Sequence, residues 1–224
     1  MKKNSSPAWN TIEEEIRIGE LNVRINRISD IDSLFNSLIA KGDNDPDVLD
    51  ERIPYWAELW PSAIALSKFL VEQKVIHAGA KVLEIGCGLG LPGIVAAKLG
   101  ANVIFSDYLP EALEAARMNA HQNGISDSAF LTMDWRKPEM IPGLQFILAS
   151  DVAYERRSFE SLMQAFDFYI RKNVVIILSE PNRAFAKPFL QDLNKSGFEL
   201  ASYTFEIPFR NHLQQVNVYR VSGK

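Results

Sequence analysis

A single cysteine, Cys87, stands in the whole sequence, which excludes an internal disulfide and any multi-cysteine zinc site. Histidine is scarce too. His77, His121 and His212 are scattered without ligand spacing and read as surface or cap residues, so no metal site is expected. No apolar run approaches the roughly 20 residues of a bilayer span, and the N-terminal MKKNSSPAW has charge but no apolar signal core. The expectation is a soluble, cytoplasmic protein that uses no membrane. Positive charge is not in excess: the net charge is −4 over 224 residues, which disfavours a nucleic-acid backbone as the main partner. With 47% hydrophobic and 23% charged residues, the chain can bury one full α/β core and fits one domain better than two.

The most informative stretch is Lys81 to Ile94, KVLEIGCGLGLPGI. An apolar strand runs into Glu84, then into Gly86, Gly88 and Gly90, and then through Pro92 into an apolar helix. Glycines let the backbone turn sharply and approach a ligand, and Pro92 suits the first helical turn. The helix N-terminus is expected to donate free backbone N–H groups to a polar ligand end. A dinucleotide fingerprint wants a third glycine where Leu91 stands, so hydride transfer on a nicotinamide is disfavoured. Cys87, between two of these glycines, reads as a small residue beside a ligand and not as a nucleophile.

A second short strand, NVIFS, ends at Asp107, about 20 residues after the loop. An acid at that place is set to accept hydrogen bonds from both ribose hydroxyls; its alternative is a helix cap ahead of Pro110. Asp134 and Trp135 follow the third strand, where an acid can accept from an adenine amino group and an indole can cover the ring; rim packing of Trp135 is the alternative. Asp151 ends the fourth strand at the carboxyl edge of the sheet, where ligands bind in open α/β folds. It could instead cap the helix near Ser158 or meet Arg156 or Arg157. Trp56 reads as a core anchor, whereas Trp60, held extended by the following Pro61, can wall a site.

The layout is α/β. Strands are expected at 81–85, 102–106, 129–132, 146–150 and 173–179, and helices at 92–99, 110–123, 158–171 and 183–196. Right-handed βαβ crossovers then give a doubly wound, mostly parallel sheet. Phe198 to Ile207 and Val216 to Val221 carry no helix between them and read as a closing antiparallel hairpin. Upstream, Ile16 to Ile25 alternate across Gly19-Glu20 as another hairpin. Ser29 with Asp32 resembles a capping box for a helix running to Gly42, and Asp43, Asp45, Asp47 and Asp50 read as a solvated linker. One domain spans 1–224, with 1–53 an extension and 54–224 the Rossmann-like core.

Taken together, LWPSA at 59–63, EIGCGLG at 84–90, Ser106-Asp107, Asp134-Trp135 and Asp151-Val152-Ala153-Tyr154 resemble the seven-strand S-adenosylmethionine-dependent methyltransferases. Within these the resemblance is to methyltransferase family 16, a protein-lysine methyltransferase group with a nicotinamide N-methyltransferase-like branch. It covers about residues 53–221. The resemblance implies a sheet of five parallel strands closed by an antiparallel hairpin. It also implies S-adenosylmethionine as cofactor, with S-adenosylhomocysteine as product, and N-methylation of a protein lysine. A small amine as acceptor and a non-catalytic S-adenosylmethionine-binding module stay open beside it. Carried over residue by residue, Glu84, Gly86, Gly88 and Gly90 line the methionine and ribose side and Asp107 binds ribose. Asp134 and Trp135 border adenine, Trp60 touches the cofactor, and Asp151 with Tyr154 faces the transferred methyl and the acceptor. Ala153 stands where relatives commonly carry a larger aliphatic residue. No N-P-P-Y-type tetrapeptide follows the fourth strand, which disfavours adenine or glutamine-amide methylation. The pattern names no oligomeric state.

Overall fold

A computed structural model describes residues 9–224; residues 1–8, read above as lacking a signal core, lie outside the described residues. The chain opens with strands β1 (Thr11–Ile18) and β2 (Leu21–Ile28), paired antiparallel in a sheet of their own. Gly19 turns the hairpin at φ 58, and a Cβ there would meet Val71 Cγ1 at 2.9 Å. Helix α1 (Ile31–Ile39) follows, capped by Asp30, whose carboxylate accepts the Ser33 N–H. The expected Ser29–Asp32 box is therefore corrected by one residue, because the Ser29 hydroxyl donates to the Asn10 carbonyl instead.

The segment expected to be a solvated linker is structured. Asp45 caps the short helix α2 (Pro46–Leu49). Asp47 pairs with Lys41 and Arg52, and Asp50 pairs with Arg52 and Arg136. Helix α3 (Pro61–Gln73), which the periodicity did not announce, starts with Pro61 at its first position after an extended Trp60 (φ −78, ψ 147).

The remaining elements alternate as expected: β3 (Lys81–Ile85), α4 (Leu91–Lys98), β4 (Asn102–Asp107), α5 (Pro110–Gln122), β5 (Ala129–Thr132), β6 (Phe146–Ser150), α6 (Phe159–Ile170), β7 (Val175–Glu180) and α7 (Lys187–Lys195). The hairpin β8 (Glu199–Phe209) and β9 (His212–Ser222) closes the chain. The seven strands run in the order β5-β4-β3-β6-β7-β9-β8. The first five are parallel and the last two antiparallel. The sheet is thus the expected Rossmann-like one, and its order reverses between β3 and β6, where a crevice opens at the carboxyl ends of the strands.

Two apolar layers bury the sheet. One packs α3, α4, α5 and the N-terminal hairpin against one face, with Phe69, Leu66, Ile94 and Phe105 fully buried. The other packs α6 and α7 on the opposite face around Phe166, Leu162 and Phe189. Burying a leucine or phenylalanine contributes about 1.5–3 kcal/mol each, so both faces need their helices. Among the described residues no helix is long and apolar enough to cross a membrane.

Candidate active site

The carboxyl rim of the parallel strands surrounds a cavity of about 550 Å³. Its lining brings together Trp60, Gly86, Gly88, Gly90, Asp107, Asp134, Trp135, Asp151 and Tyr154, contributed by loops after β3, β4, β5 and β6 and by the stretch ahead of α3. Of the expected site residues, Glu84 alone is not in the lining.

Glu84 lies under the loop. It is fully buried, its Oε2 accepts the Gly93 N–H at 3.1 Å, and Oε1 has no hydrogen-bond partner among the described residues. Burial pushes its carboxyl well above the usual carboxylate range. Gly93 is the residue this arrangement demands: a Cβ there would stand 2.4 Å from Glu84 Oε2 and 2.4 Å from Phe105 Cε1. The helix N-terminus consequently offers less than expected to a ligand, since Glu84 takes the Gly93 N–H and Pro92 has none.

The glycine loop turns through left-handed backbone at Gly86 (φ 58), Gly88 (φ 50) and Gly90 (φ 81), a region open to glycine without steric cost. A Cβ on Gly86 would reach Trp135 and Val152 at 3.2 Å, and one on Gly88 the Trp56 carbonyl at 3.2 Å. The loop is thus pressed between two tryptophan-bearing segments. Trp56 packs against the core, edge-on to Trp9 with ring centroids 5.3 Å apart, but it is half-buried and also lines the cavity. Asn119 on α5 holds the loop from behind: its Nδ2 donates to the Leu89 carbonyl at 3.0 Å, and its Oδ1 accepts the Asn26 N–H of β2 at 2.8 Å. The N-terminal hairpin and the loop therefore share one buried amide. Cys87 is buried within the loop, and burial, with Asp107 and Glu84 nearby, raises its thiol well above the usual value. That keeps it protonated and unreactive.

Asp107 ends β4. Its Oδ2 accepts the Gly88 N–H and its Oδ1 the Leu109 N–H, both at 3.0 Å. Burial raises its carboxyl while these two donors pull it down. It does not cap α5, whose cap residue is Leu109, and a carboxylate retains lone pairs beyond two donors. Asp134 is gripped by Arg136, whose Nε donates to both carboxylate oxygens at 2.9 and 2.8 Å. Trp135 is half-buried against Gly86.

The Asp50, Arg52 and Tyr108 cluster, joined to Asp134 through Arg136, was missed in the sequence. Tyr108 donates to Asp50 Oδ2 at 2.6 Å and accepts from Arg52 at 2.8 Å, while the Arg52 and Arg136 guanidinium groups lie 4.8 and 5.1 Å from the Tyr108 ring centre. The Tyr108 hydroxyl and Arg136 hold the Asp50 carboxyl below its usual value. These contacts bind the acidic segment before Trp60 to Tyr108 after β4 and to Arg136 beside Asp134. Arg157 adds a bond to the Asp50 carbonyl at 3.0 Å.

At the other end Asp151 stands in left-handed backbone (φ 58), a costly conformation for a residue with a side chain that clusters at functional sites. Its N–H donates to the Ser179 carbonyl at 3.0 Å. Its carboxylate meets neither Arg156 nor Arg157 and caps no helix; it forms a two-armed ion pair with Arg183, from Nη1 to Oδ1 and from Nη2 to Oδ2 at 3.0 Å. Glu180, fully buried, accepts the Arg183 N–H on both oxygens at 3.2 Å. Aromatic rings line the same cavity. Tyr154 lies edge-on to Tyr55 at 5.3 Å, and Trp60 donates its indole N–H to the Tyr55 carbonyl at 2.8 Å and tilts against Phe209 at 6.1 Å. Burial pushes the Tyr154 hydroxyl far up, so it stays protonated. His77, His121 and His212 are exposed and away from the cavity.

The protein family described as lysine methyltransferase matches residues 54–196. Among curated proteins, histone-arginine methyltransferase METTL23 of Rattus norvegicus is 35% identical over 141 residues, 58% of this chain and 63% of that protein. Protein N-lysine methyltransferase METTL21A of Danio rerio is 35% identical over 136 residues, 58% of this chain and 62% of that protein. EEF1A lysine methyltransferase 3 of Xenopus tropicalis is 29% identical over 172 residues, 74% of each chain. The chain spans 54–64% of the length of the histone-arginine methyltransferases it matches. Among solved structures, magnesium protoporphyrin IX methyltransferase of Synechocystis with bound SAM superposes with a TM-score of 0.58 at 20% identity, covering 87% of this chain and 92% of that one. A likeness at that identity is one of fold.

Proposed function

The chain belongs to the lysine methyltransferase family, and from that premise we propose that it is an S-adenosylmethionine-dependent N-methyltransferase acting on a lysine side chain of a protein. One juxtaposition supports the reading: a glycine cradle, a buried ribose-type carboxylate and an aromatic-walled carboxylate share a single cavity of about 550 Å³. The cofactor fits the residues present. Gly86 and Gly88 admit no side chain without pressing on Trp135 or Trp56, and Asp107 is fixed at the rim by the Gly88 N–H.

When bound, S-adenosylmethionine supplies a methyl group on a sulfonium that needs no further activation and leaves as S-adenosylhomocysteine. Gly86, Gly88, Gly90 and Trp60 line the methionine and ribose side, and Asp107 accepts from the ribose hydroxyls. Glu84 acts from beneath, by seating Gly93. Trp135 covers the adenine face, and Asp134 borders the adenine edge while Arg136 holds it in place. Asp151 accepts a hydrogen bond from the acceptor amine and offsets its growing positive charge, and the Tyr154 and Trp60 rings add cation–π attraction. Fixing an amine in line in this way supplies roughly 7–11 kcal/mol at best. The acceptor lysine must shed its proton before its nitrogen lone pair can attack, and partial desolvation of the seat eases that loss after docking.

The chain's net charge of −4 suits a cationic partner. We place the action in the cytoplasm and treat residues 1–53 as an extension of one methyltransferase domain. Transfer of a labelled methyl group into undialysed cell extract, with protein and small-molecule fractions separated afterwards, tests the assignment. Label recovered in protein, and released as methyl-lysine on hydrolysis, is the expected outcome. Label confined to small molecules points to a small-amine enzyme, and label in neither fraction to a non-catalytic binding module.

A further inference from the structure

Asp151 and Glu180 are brought together by the sheet. Their strands pair in parallel with Ser150 opposite Ser179, so the next residue of each stands at the same level on the carboxyl rim. The two roles differ. Glu180 is fully buried and both its oxygens hold the Arg183 backbone N–H at 3.2 Å, with its Oε1 3.7 Å from Arg183 Nη1. Asp151 is aimed at the cavity, and its side chain, 7% exposed, has both oxygens bridged by the Arg183 guanidinium.

The surroundings of that guanidinium are those of a cation seat. Phe185 lies 5.9 Å from its centre, and Tyr55, Tyr154 and Trp60 line the same cavity. Carboxylate on one side and aromatic faces on others recognise a positively charged side chain. We propose that Arg183 is an internal stand-in for the methyl acceptor: its guanidinium occupies the seat on Asp151 that the acceptor's cationic side chain takes, and acceptor binding exchanges one cation for the other. The proposal rests on the reading of Asp151 as the acceptor contact.

The geometry says which partner moves. Asp151 is fixed by its left-handed backbone and by its bond to the Ser179 carbonyl. Arg183 sits on the loop after β7, its side chain 25% exposed, on a long stem that can swing to solvent while Glu180 keeps its backbone in place. A buried carboxylate stripped of its cation is strongly unfavourable, so Arg183 leaves when another cation arrives. A neutral group cannot make that exchange. Asp151 with Arg183 therefore selects protonated amines or guanidines over uncharged groups of the same size.

The test uses the full chain and two small probes, n-butylammonium and methylguanidinium, with n-butanol as the uncharged control. Calorimetric titration is run on the wild type and on Arg183→Ala and Arg183→Gln; the second variant keeps most of the side-chain volume if the first folds poorly. If the seat is free about a tenth of the time in the wild type, either variant binds the cations about tenfold more tightly, while n-butanol gains nothing. Equal affinities in wild type and variants, or an equal gain for n-butanol, overturn the exchange. Failure of the wild type to bind S-adenosylhomocysteine would refute the methyltransferase reading alone, because the probe titration needs no cofactor.

Discussion

Replacing Gly93 by Ala sets two general rules against each other. In an ordinary helix interior the change stabilises by about 1 kcal/mol, since glycine costs that much against alanine. Here the new methyl would stand 2.4 Å from both Glu84 Oε2 and Phe105 Cε1. Phe105 cannot give way easily: it is fully buried and stacked on Phe130 with centroids 5.1 Å apart. Overpacking of this kind costs about 1–3 kcal/mol. Pushing Glu84 off the Gly93 N–H leaves a buried donor unsatisfied and costs about 1–3 kcal/mol more. The net expectation is destabilisation by about 1–5 kcal/mol after the helix gain is subtracted. At about 3 kcal/mol, a chain of this size loses about 6–12 °C in Tm. Urea unfolding and a thermal melt of Gly93→Ala measure it. A variant as stable as the wild type, or more stable, refutes the claim that Glu84 and Phe105 close on this helix turn.

Two further substitutions probe the same framework. Burial holds the Glu84 carboxyl above its usual value of 4.5, so the folded chain binds a proton that the unfolded chain releases, and stability falls as pH rises from there through the folded value. Glu84→Gln keeps an acceptor for Gly93 and removes that loss. Its Tm relative to the wild type should therefore climb between pH 5 and pH 8, and a difference that is flat with pH contradicts the assignment. Asn119→Ala strands the Asn26 N–H and the Leu89 carbonyl, at about 1–3 kcal/mol for each unsatisfied group. It should lower the urea midpoint and weaken cofactor binding together; an unchanged midpoint means the shared amide does not tie hairpin to loop.

The sheet was legible because its signals are local. Gly86 to Gly90, Asp107 and Asp151 each follow an apolar run at its carboxyl end, and a parallel sheet brings such ends together whatever lies between them. Helix α3 escaped notice because it is buried on several sides, with Ser62, Ser67, Ala65 and Phe69 all inside, so no polar face marks a helical period. The last hairpin runs longer than expected because its turn, Arg210-Asn211 with φ 46 and 68, lacks the glycine that signals such turns, and Pro208 is tolerated on an edge strand. Partners of the site residues were the least visible. Arg183 meets Asp151 across 32 positions and Arg136 meets Asp50 across 86; no spacing rule announces either. The neighbourhood alone was within reach, since pairing of Ser150 with Ser179 sets Asp151 beside Glu180, three residues before Arg183.

In the proposed function Asp107 holds a nucleoside in the cavity beside the glycine loop. Calorimetric titration of S-adenosylhomocysteine into the wild type and into Asp107→Ala tests this most directly. The wild type should bind, and the variant, losing hydrogen bonds to a charged acceptor worth about 1.5–3 kcal/mol, should bind about ten- to a hundredfold more weakly. Equal affinity in the two proteins, or no heat of binding in either at millimolar ligand, contradicts it.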